Sequence, residues 1–199
     1  ATSADISPND SLIAISGLNK EVYVGNFGTG EVTMIPALKT VSSPKVKFSS
    51  DGKYLLNTAT FSFQLIRVGD SIPLIIVDSI NIITAKKINF SPDADYFIAN
   101  VNKKIKIWST STQQLVRVID IETEFPENIE MSHDSKYILC VDPFKKNLKI
   151  WETATGKLVK NFEDVIGAFF NKNKNNVTII YNNRIVEITS ISSNTIVRS

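Results

Sequence analysis

The chain of 199 residues is 43% hydrophobic and 21% charged, an ordinary composition for a folded globular protein and one that excludes a disordered chain. Lysine and arginine number 22 against 20 aspartates and glutamates, so the net charge of +2 gives the whole chain no pull on nucleic acid or membrane, and a charged patch must come from distribution. No apolar stretch, Ile72 to Val77 included, approaches the roughly 18 residues of a membrane-spanning helix. Residues 1–5 carry no basic and apolar leader pattern, so neither a signal peptide nor membrane insertion is expected. The single Cys140 excludes an internal disulfide and fits a reducing, intracellular and cytoplasmic setting.

Read in chain order, one phrase recurs: an apolar residue, Ser or Asn, a turn, then an apolar run. It stands at Ile6-Ser7-Pro8-Asn9-Asp10, Phe48-Ser49-Ser50-Asp51-Gly52, Phe90-Ser91-Pro92-Asp93-Ala94, Met131-Ser132-His133-Asp134-Ser135 and Phe170-Asn171-Lys172-Asn173-Lys174. From Ser7 through Ser49, Ser91 and Ser132 to Asn171 the steps are 42, 42, 41 and 39 residues. That is the period of a four-stranded propeller blade, roughly 40 to 45 residues.

Within each unit a second strand is predicted after the turn, at Leu12 to Ile15, Tyr54 to Leu56, Tyr96 to Ala99, Tyr137 to Val141 and Val177 to Tyr181. A third follows at Val22 to Val24, Phe63 to Ile66, Ile105 to Trp108, Leu148 to Trp151 and Ile185 to Ile188, where apolar and charged residues alternate and predict burial on one face. The turn Thr153-Ala154-Thr155-Gly156 introduces a fourth strand at Lys157 to Phe162. One such sheet cannot cover both its faces, but radial stacking of units does. The expectation is an all-β propeller of four-stranded antiparallel blades over about 5–43, 44–84, 85–126, 127–165 and 166–198.

The wording of the units resembles the WD40-repeat family. Phe90-Ser91-Pro92-Asp93 and Ser50-Asp51-Gly52-Lys53-Tyr54-Leu55 are similar to its first turn. Trp151-Glu152-Thr153-Ala154-Thr155-Gly156-Lys157-Leu158 and Trp108-Ser109-Thr110-Ser111-Thr112-Gln113-Gln114-Leu115 resemble its Trp-Asp strand running into Thr-Gly-Lys. The likeness extends along the whole chain, strongest in the third and fourth units. No Gly-His pair precedes any unit, Asp never follows Trp, and the Asp usual before the Trp strand is absent from Asn100 to Lys104. The side-chain network that stiffens regular members is therefore expected to be missing. Rings of this family usually hold seven blades and close by a strand from the chain start. The first unit here opens near Asp5 on its innermost strand and the fifth ends on Thr195 to Val197, so the resemblance implies an arc of a larger ring, with a closed five-blade ring as the alternative.

Catalysis needs a nucleophile with its base, a carboxylate pair or a metal cluster. His133 is the only histidine and reads as a solvated turn residue, while Cys140 lies in an apolar strand and reads as a small core residue. Glu122, Glu124 and Glu127 around Phe125-Pro126 read as a solvated connection, and Trp108 with Trp151, one per unit at equivalent places, as packing between blades. No nucleotide motif exists, and neither cofactor nor metal is expected. Enzymatic propellers of hydrolase, lactonase or dehydrogenase type gather His, Asp or Glu around a central channel, which one histidine argues against.

Recognition is more naturally carried by loops on a rigid scaffold. The hairpins between second and third strands place Asn19-Lys20, Thr60-Phe61, Lys103-Lys104, Lys145-Lys146 and Asn183-Arg184 on one end of the stack, the top face of the resembled ring. Lys20, Lys103, Lys104, Lys145, Lys146 and Arg184 would form a basic rim, and Phe61 and Phe144 are aromatic tips with no core to fill. The segment Ile121 to Asn128 would add acidity to the same face. The expected partners are other proteins through acidic or phosphorylated segments, with nucleic-acid backbone as a rival. The bland alternative is that the lysines solubilise hairpin tips and block edge pairing. The expected function is a non-catalytic scaffold in a multi-protein complex.

Overall fold

The computed structural model describes residues 3–17, 21–36, 44–59, 62–70, 74–78, 88–123, 126–172, 176–191 and 196–198. Among them every regular element is a strand, and five antiparallel sheets of four strands follow one another along the chain. The first sheet is β1 (Ser3–Ile6), β2 (Leu12–Ser16), β3 (Val22–Asn26) and β4 (Val32–Ile35). The second is β5 (Lys45–Phe48), β6 (Tyr54–Ala59), β7 (Ser62–Arg67) and β8 (Ile75–Asp78). The third is β9 (Ile88–Phe90), β10 (Tyr96–Val101), β11 (Lys104–Ser109) and β12 (Leu115–Asp120). The fourth is β13 (Asn128–Met131), β14 (Tyr137–Asp142), β15 (Asn147–Glu152) and β16 (Leu158–Glu163). The fifth is β17 (Val165–Phe170), β18 (Asn176–Tyr181), β19 (Val186–Ser190) and β20 (Ile196–Arg198). Each is a plain meander, neighbours in sequence being neighbours in the sheet.

The turn after each first strand shows why Ser recurs. Ser132 N–H donates to Tyr137 O at 2.9 Å, Ser132 Oγ accepts Tyr137 N–H at 2.9 Å, and the same hydroxyl donates to Asp134 Oδ1 at 2.8 Å. Ser7 with Asn9 and Leu12, Ser49 with Asp51 and Tyr54, and Ser91 with Asp93 and Tyr96 repeat the pattern. One hydroxyl thus holds both ends of a tight loop whose left-handed corner is Asp10, Gly52, Ala94 or Ser135. In the fifth sheet Asn171 replaces Ser, and its Oδ1 accepts instead from the Thr178 hydroxyl at 2.9 Å.

Between third and fourth strands a second turn recurs, closed by Gly30 N–H on Asn26 O, Gln113 N–H on Ser109 O and Gly156 N–H on Glu152 O, at 2.8 to 2.9 Å. Gly30, Gln113 and Gly156 all sit at positive φ. A register shift follows at Ile107/Trp108, Ile150/Trp151 and Ile188/Thr189, the same place in three sheets.

The core is made between sheets. Val46, Phe48, Leu55 and Ile66 of the second sheet meet Ala14, Val22 and Ile35 of the first. Leu56, Phe63 and Leu65 on the other side of the second sheet meet Phe97, Ala99, Val101 and Trp108 of the third. Ile98, Ile105, Ile107, Ile119 and Ile121 meet Ile129, Met131, Ile138, Cys140 and Trp151 of the fourth. Leu139, Val141, Leu148 and Ile150 then meet Val165, Ala168, Phe170, Val177 and Ile179 of the fifth. The tryptophans therefore do pack between sheets: Trp108 stacks on Phe97 with centroids 5.0 Å apart, and Phe63 of the preceding sheet meets it edge-on at 5.5 Å.

One expectation is corrected here. The third strands are not buried on one face alone, because Ile105, Ile107, Leu148 and Ile150 face one neighbour while Trp108 and Trp151 are buried against the other. The alternating lysine survives because its stem runs along the interface and its ammonium reaches the edge, as Lys149 Nζ does to Glu122 Oε1 at 3.5 Å.

Replacing Ser132 by Ala leaves the Tyr137 amide without the hydroxyl that accepts it and is expected to lower unfolding free energy by roughly 1 to 3 kcal/mol. Ser50→Ala, which removes one exposed bond to Pro92 O, is expected to cost less than about 0.5 kcal/mol, and urea titration separates the two. Asp51 gives a pH test. Partial burial raises its pKa, but hydrogen bonds from the Ser49 hydroxyl and the Lys53 backbone N–H, with the Lys53 charge, hold it below its ordinary 3.8. Its stabilisation is complete above 3.8 and lost as pH falls through the lower folded value. Acid unfolding curves should show a shallower acid-side loss for Asp51→Asn than for the parent chain, and equal slopes would count against the turn's role.

Candidate interaction surface

The hairpins between second and third strands share one end of the stack, and the backbone shows how. Asn102 and Lys103 form a two-residue turn with φ of 53° and 60°, the geometry that matches strand twist, so Lys103 is at the tip while Lys104 opens β11 opposite Val101. Lys103 O accepts the Ile121 N–H at 2.8 Å, and the next residue, Glu122, pairs its carboxylate with Lys145 on the following sheet's hairpin. Lys146 O accepts the Val165 N–H at 2.8 Å, and Asp164 O accepts the Asn182 N–H at 2.7 Å in the hairpin that carries Arg184. Hairpin and inter-sheet connection alternate along the surface, so Lys103, Lys145, Lys146 and Arg184 lie on one continuous face.

The electrostatics differ from a one-signed rim. Lys104 is paired with Asp120 across its own sheet, and Glu122 sits between Lys145 and Lys149. The Lys145 hydrogen bond and the two lysine charges hold Glu122 below its ordinary pKa, and Glu122 raises that of Lys145. The acidic connection is thus threaded into the basic hairpins, leaving Lys146 and Arg184 exposed beyond it. Lys20 and Phe61 lie outside the described residues.

Phe144 stands at the tip of the fourth hairpin, 77% exposed. Its position is fixed from below. Buried Asp142 accepts the N–H groups of Phe144 at 2.9 Å and Lys145 at 3.1 Å, an Asx turn that orders the loop without touching the ring. Sequence reasoning found Phe144 by its misplacement but not Asp142, whose only signal was an Asp two residues before an aromatic tip.

A second polar row was missed altogether. The first strands of consecutive sheets are stitched side by side: Asp5 Oδ2 accepts Phe48 N–H at 2.7 Å, Glu130 Oε2 accepts Phe170 N–H at 3.3 Å, and Lys47 Nζ donates to Asn89 Oδ1 at 3.1 Å. Asn128 Nδ2 also donates to Ala168 O at 3.1 Å. Burial raises the Glu130 pKa despite these bonds. The signal is the residue just before each apolar-Ser pair, polar in four units and Phe169 in the fifth. These groups lie along the first strands but spend their hydrogen bonds on neighbouring sheets rather than converging on a vacant point.

His133 is exposed in its turn, and among the described residues no group of three or more His, Cys, Asp or Glu is placed to hold a metal. Among the same residues no helix is long and apolar enough to cross a membrane. Comparison with family models and with curated proteins finds no match.

Cys140 is buried in the contact between third and fourth sheets, and burial, with Asp142 nearby, pushes its thiol up to about 12. An aromatic disulfide reagent near neutral pH should label it only as fast as the chain opens, with the rate climbing steeply in urea. Prompt labelling of the native protein would show a thiol that is neither buried nor protonated.

Proposed function

We propose that this chain is a WD40-like β-propeller module of five blades that acts as a non-catalytic scaffold, holding other proteins through its hairpin face in an intracellular complex. The sheet meander and the face-to-face order of the sheets support the propeller reading, since a four-stranded unit with two apolar faces is what radial stacking requires. Polar groups in the turns close their own loops and those of the first strands join neighbouring sheets, which fits a scaffold better than a reaction site.

The observation that carries the assignment is Phe144: a large aromatic side chain, mostly exposed to solvent, on a loop ordered by a buried carboxylate and flanked by Lys145 and Lys146. An aromatic side chain on an ordered loop can anchor a partner without the cost of ordering the backbone beneath it, while the neighbouring cations favour an acidic or phosphorylated segment. The exposed residues Lys146 and Arg184 extend that preference towards the fifth sheet.

The test is fluorescence anisotropy with arrays of acidic, phosphorylated and neutral peptides and with single-stranded nucleic acid. Acidic or phosphorylated peptides should bind, and Phe144→Ala combined with Lys146→Glu should weaken the best of them by about 2 kcal/mol, roughly thirty-fold. Selective binding of nucleic acid, or a peptide affinity untouched by the double substitution, would remove the proposal.

A further inference from the structure

The end of the sheets opposite the hairpin face carries the serine turns and the turns between third and fourth strands, and there the joint between the third and fourth sheets stays open. A groove of about 520 Å3 runs into it. Tyr96, Ile107 and Val116 line the third-sheet side, and the fourth sheet supplies Tyr137 with the segments Asp134 to Lys136 and Glu152 to Ala154. Both sheets are covered by neighbours on their two sides, so the groove belongs to this joint alone.

Its lining is rich in hydrogen-bond acceptors. Asp93 and Asp95 come from one serine turn, Asp134 from the next and Glu152 from the end of β15. Lys136 answers Asp134 at 3.3 Å. Asp95 has no side-chain partner among the described residues, and Glu152 spends one oxygen on the Thr155 hydroxyl at 2.6 Å. Partial burial raises the Asp93 pKa, but the Ser135 and Ser91 hydroxyls and the Asp95 N–H hold its carboxyl below the ordinary 3.8, so it is charged at neutral pH. Ser135, only 6% exposed, leans its hydroxyl towards that carboxylate without completing a hydrogen bond, and buried Thr153 Oγ1 has no partner either. Arg117 reaches from β12 across the joint to the Ala154 carbonyl, yet among the described residues it pairs with none of the four carboxylates.

The joint between first and second sheets has a smaller groove of about 360 Å3 with different charges. There Arg67, opposite Tyr54, takes the place that Glu152 holds opposite Tyr137, and the lining acids are Glu31 and Asp70. The acidic excess is a property of the third and fourth sheets.

We propose that this groove is a docking site for a basic segment of a partner protein, one of whose lysine or arginine side chains enters the joint. Its aliphatic stem would lie along Ile107, Val116 and Tyr96, and its charge would meet Asp93, Asp95 and Glu152. A cationic head carries donors and no acceptor, which suits a lining with spare carboxylate oxygens and two hydroxyls lacking partners. The site lies at the far end from Phe144 and prefers the opposite charge, so it stands or falls apart from the hairpin face.

Fluorescence anisotropy on the intact chain, with short arginine-rich and lysine-rich peptides and a glutamine-substituted peptide of equal length, tests it. The basic peptides should bind, less tightly as salt is raised, and the glutamine peptide should not. Asp95→Asn combined with Glu152→Gln should weaken binding about ten-fold. Val116→Trp, at a half-exposed position, fills the groove without changing its charge and should abolish binding. Glu31→Gln with Asp70→Asn, in the other joint, should leave binding unchanged, as should Phe144→Ala with Lys146→Glu at the hairpin end. Circular dichroism and melting establish that each variant is folded. Equal binding of the glutamine peptide, an affinity that survives either groove variant, or the same loss from the Glu31 and Asp70 pair would overturn the proposal.

Discussion

A four-stranded sheet with apolar side chains on both faces cannot cover either by itself, and this structure follows from how that burial is shared. In β14 the consecutive residues Ile138, Leu139, Cys140 and Val141 are all buried, yet they belong to two cores, Ile138 and Cys140 to one and Leu139 and Val141 to the other. Each sheet is the wall of its neighbour's core. Burying such side chains contributes roughly 1.5 to 3 kcal/mol apiece against the entropy of ordering the chain, so a unit removed from its neighbours would lose most of what stabilises it.

The polar interactions sit where this layered burial needs them. A sheet held only by apolar contact could slide over its neighbour. The serine turns fix where the second strands of the first four sheets begin, and the bonds from Asp5 and Glu130 lock the offset between one first strand and the next. The side-chain network expected to be missing, given the absent Gly-His and Trp-Asp signatures, has a local counterpart in those turns: one hydroxyl and one carboxylate or amide, close in sequence.

The candidate surface was legible in outline. That Lys103, Lys145, Lys146 and Arg184 share a face followed from the repeat spacing, since equal steps along the chain put equivalent loops at the same end of each sheet. Their charge balance was not legible. Glu122 is 23 residues before Lys145, and nothing in that interval marks the two as partners. They meet because Glu122 leaves the third sheet at the edge where the fourth sheet's hairpin rises. Asp142 was hidden for a related reason: its role depends on a turn closing over it.

Period, turn chemistry and the alternation of apolar residues were properties of the sequence itself, because hydrogen bonds and side-chain direction repeat every two residues along a strand whatever the strand packs against. They determined the strand class, the meander and the number of units. Tertiary structure decided which face of each strand meets which neighbour, that the third strands are covered on both sides, and which lysines acquire carboxylate partners. Those outcomes depend on distances between residues far apart in sequence, where only the pairing of strands and the packing of one sheet on the next bring side chains together.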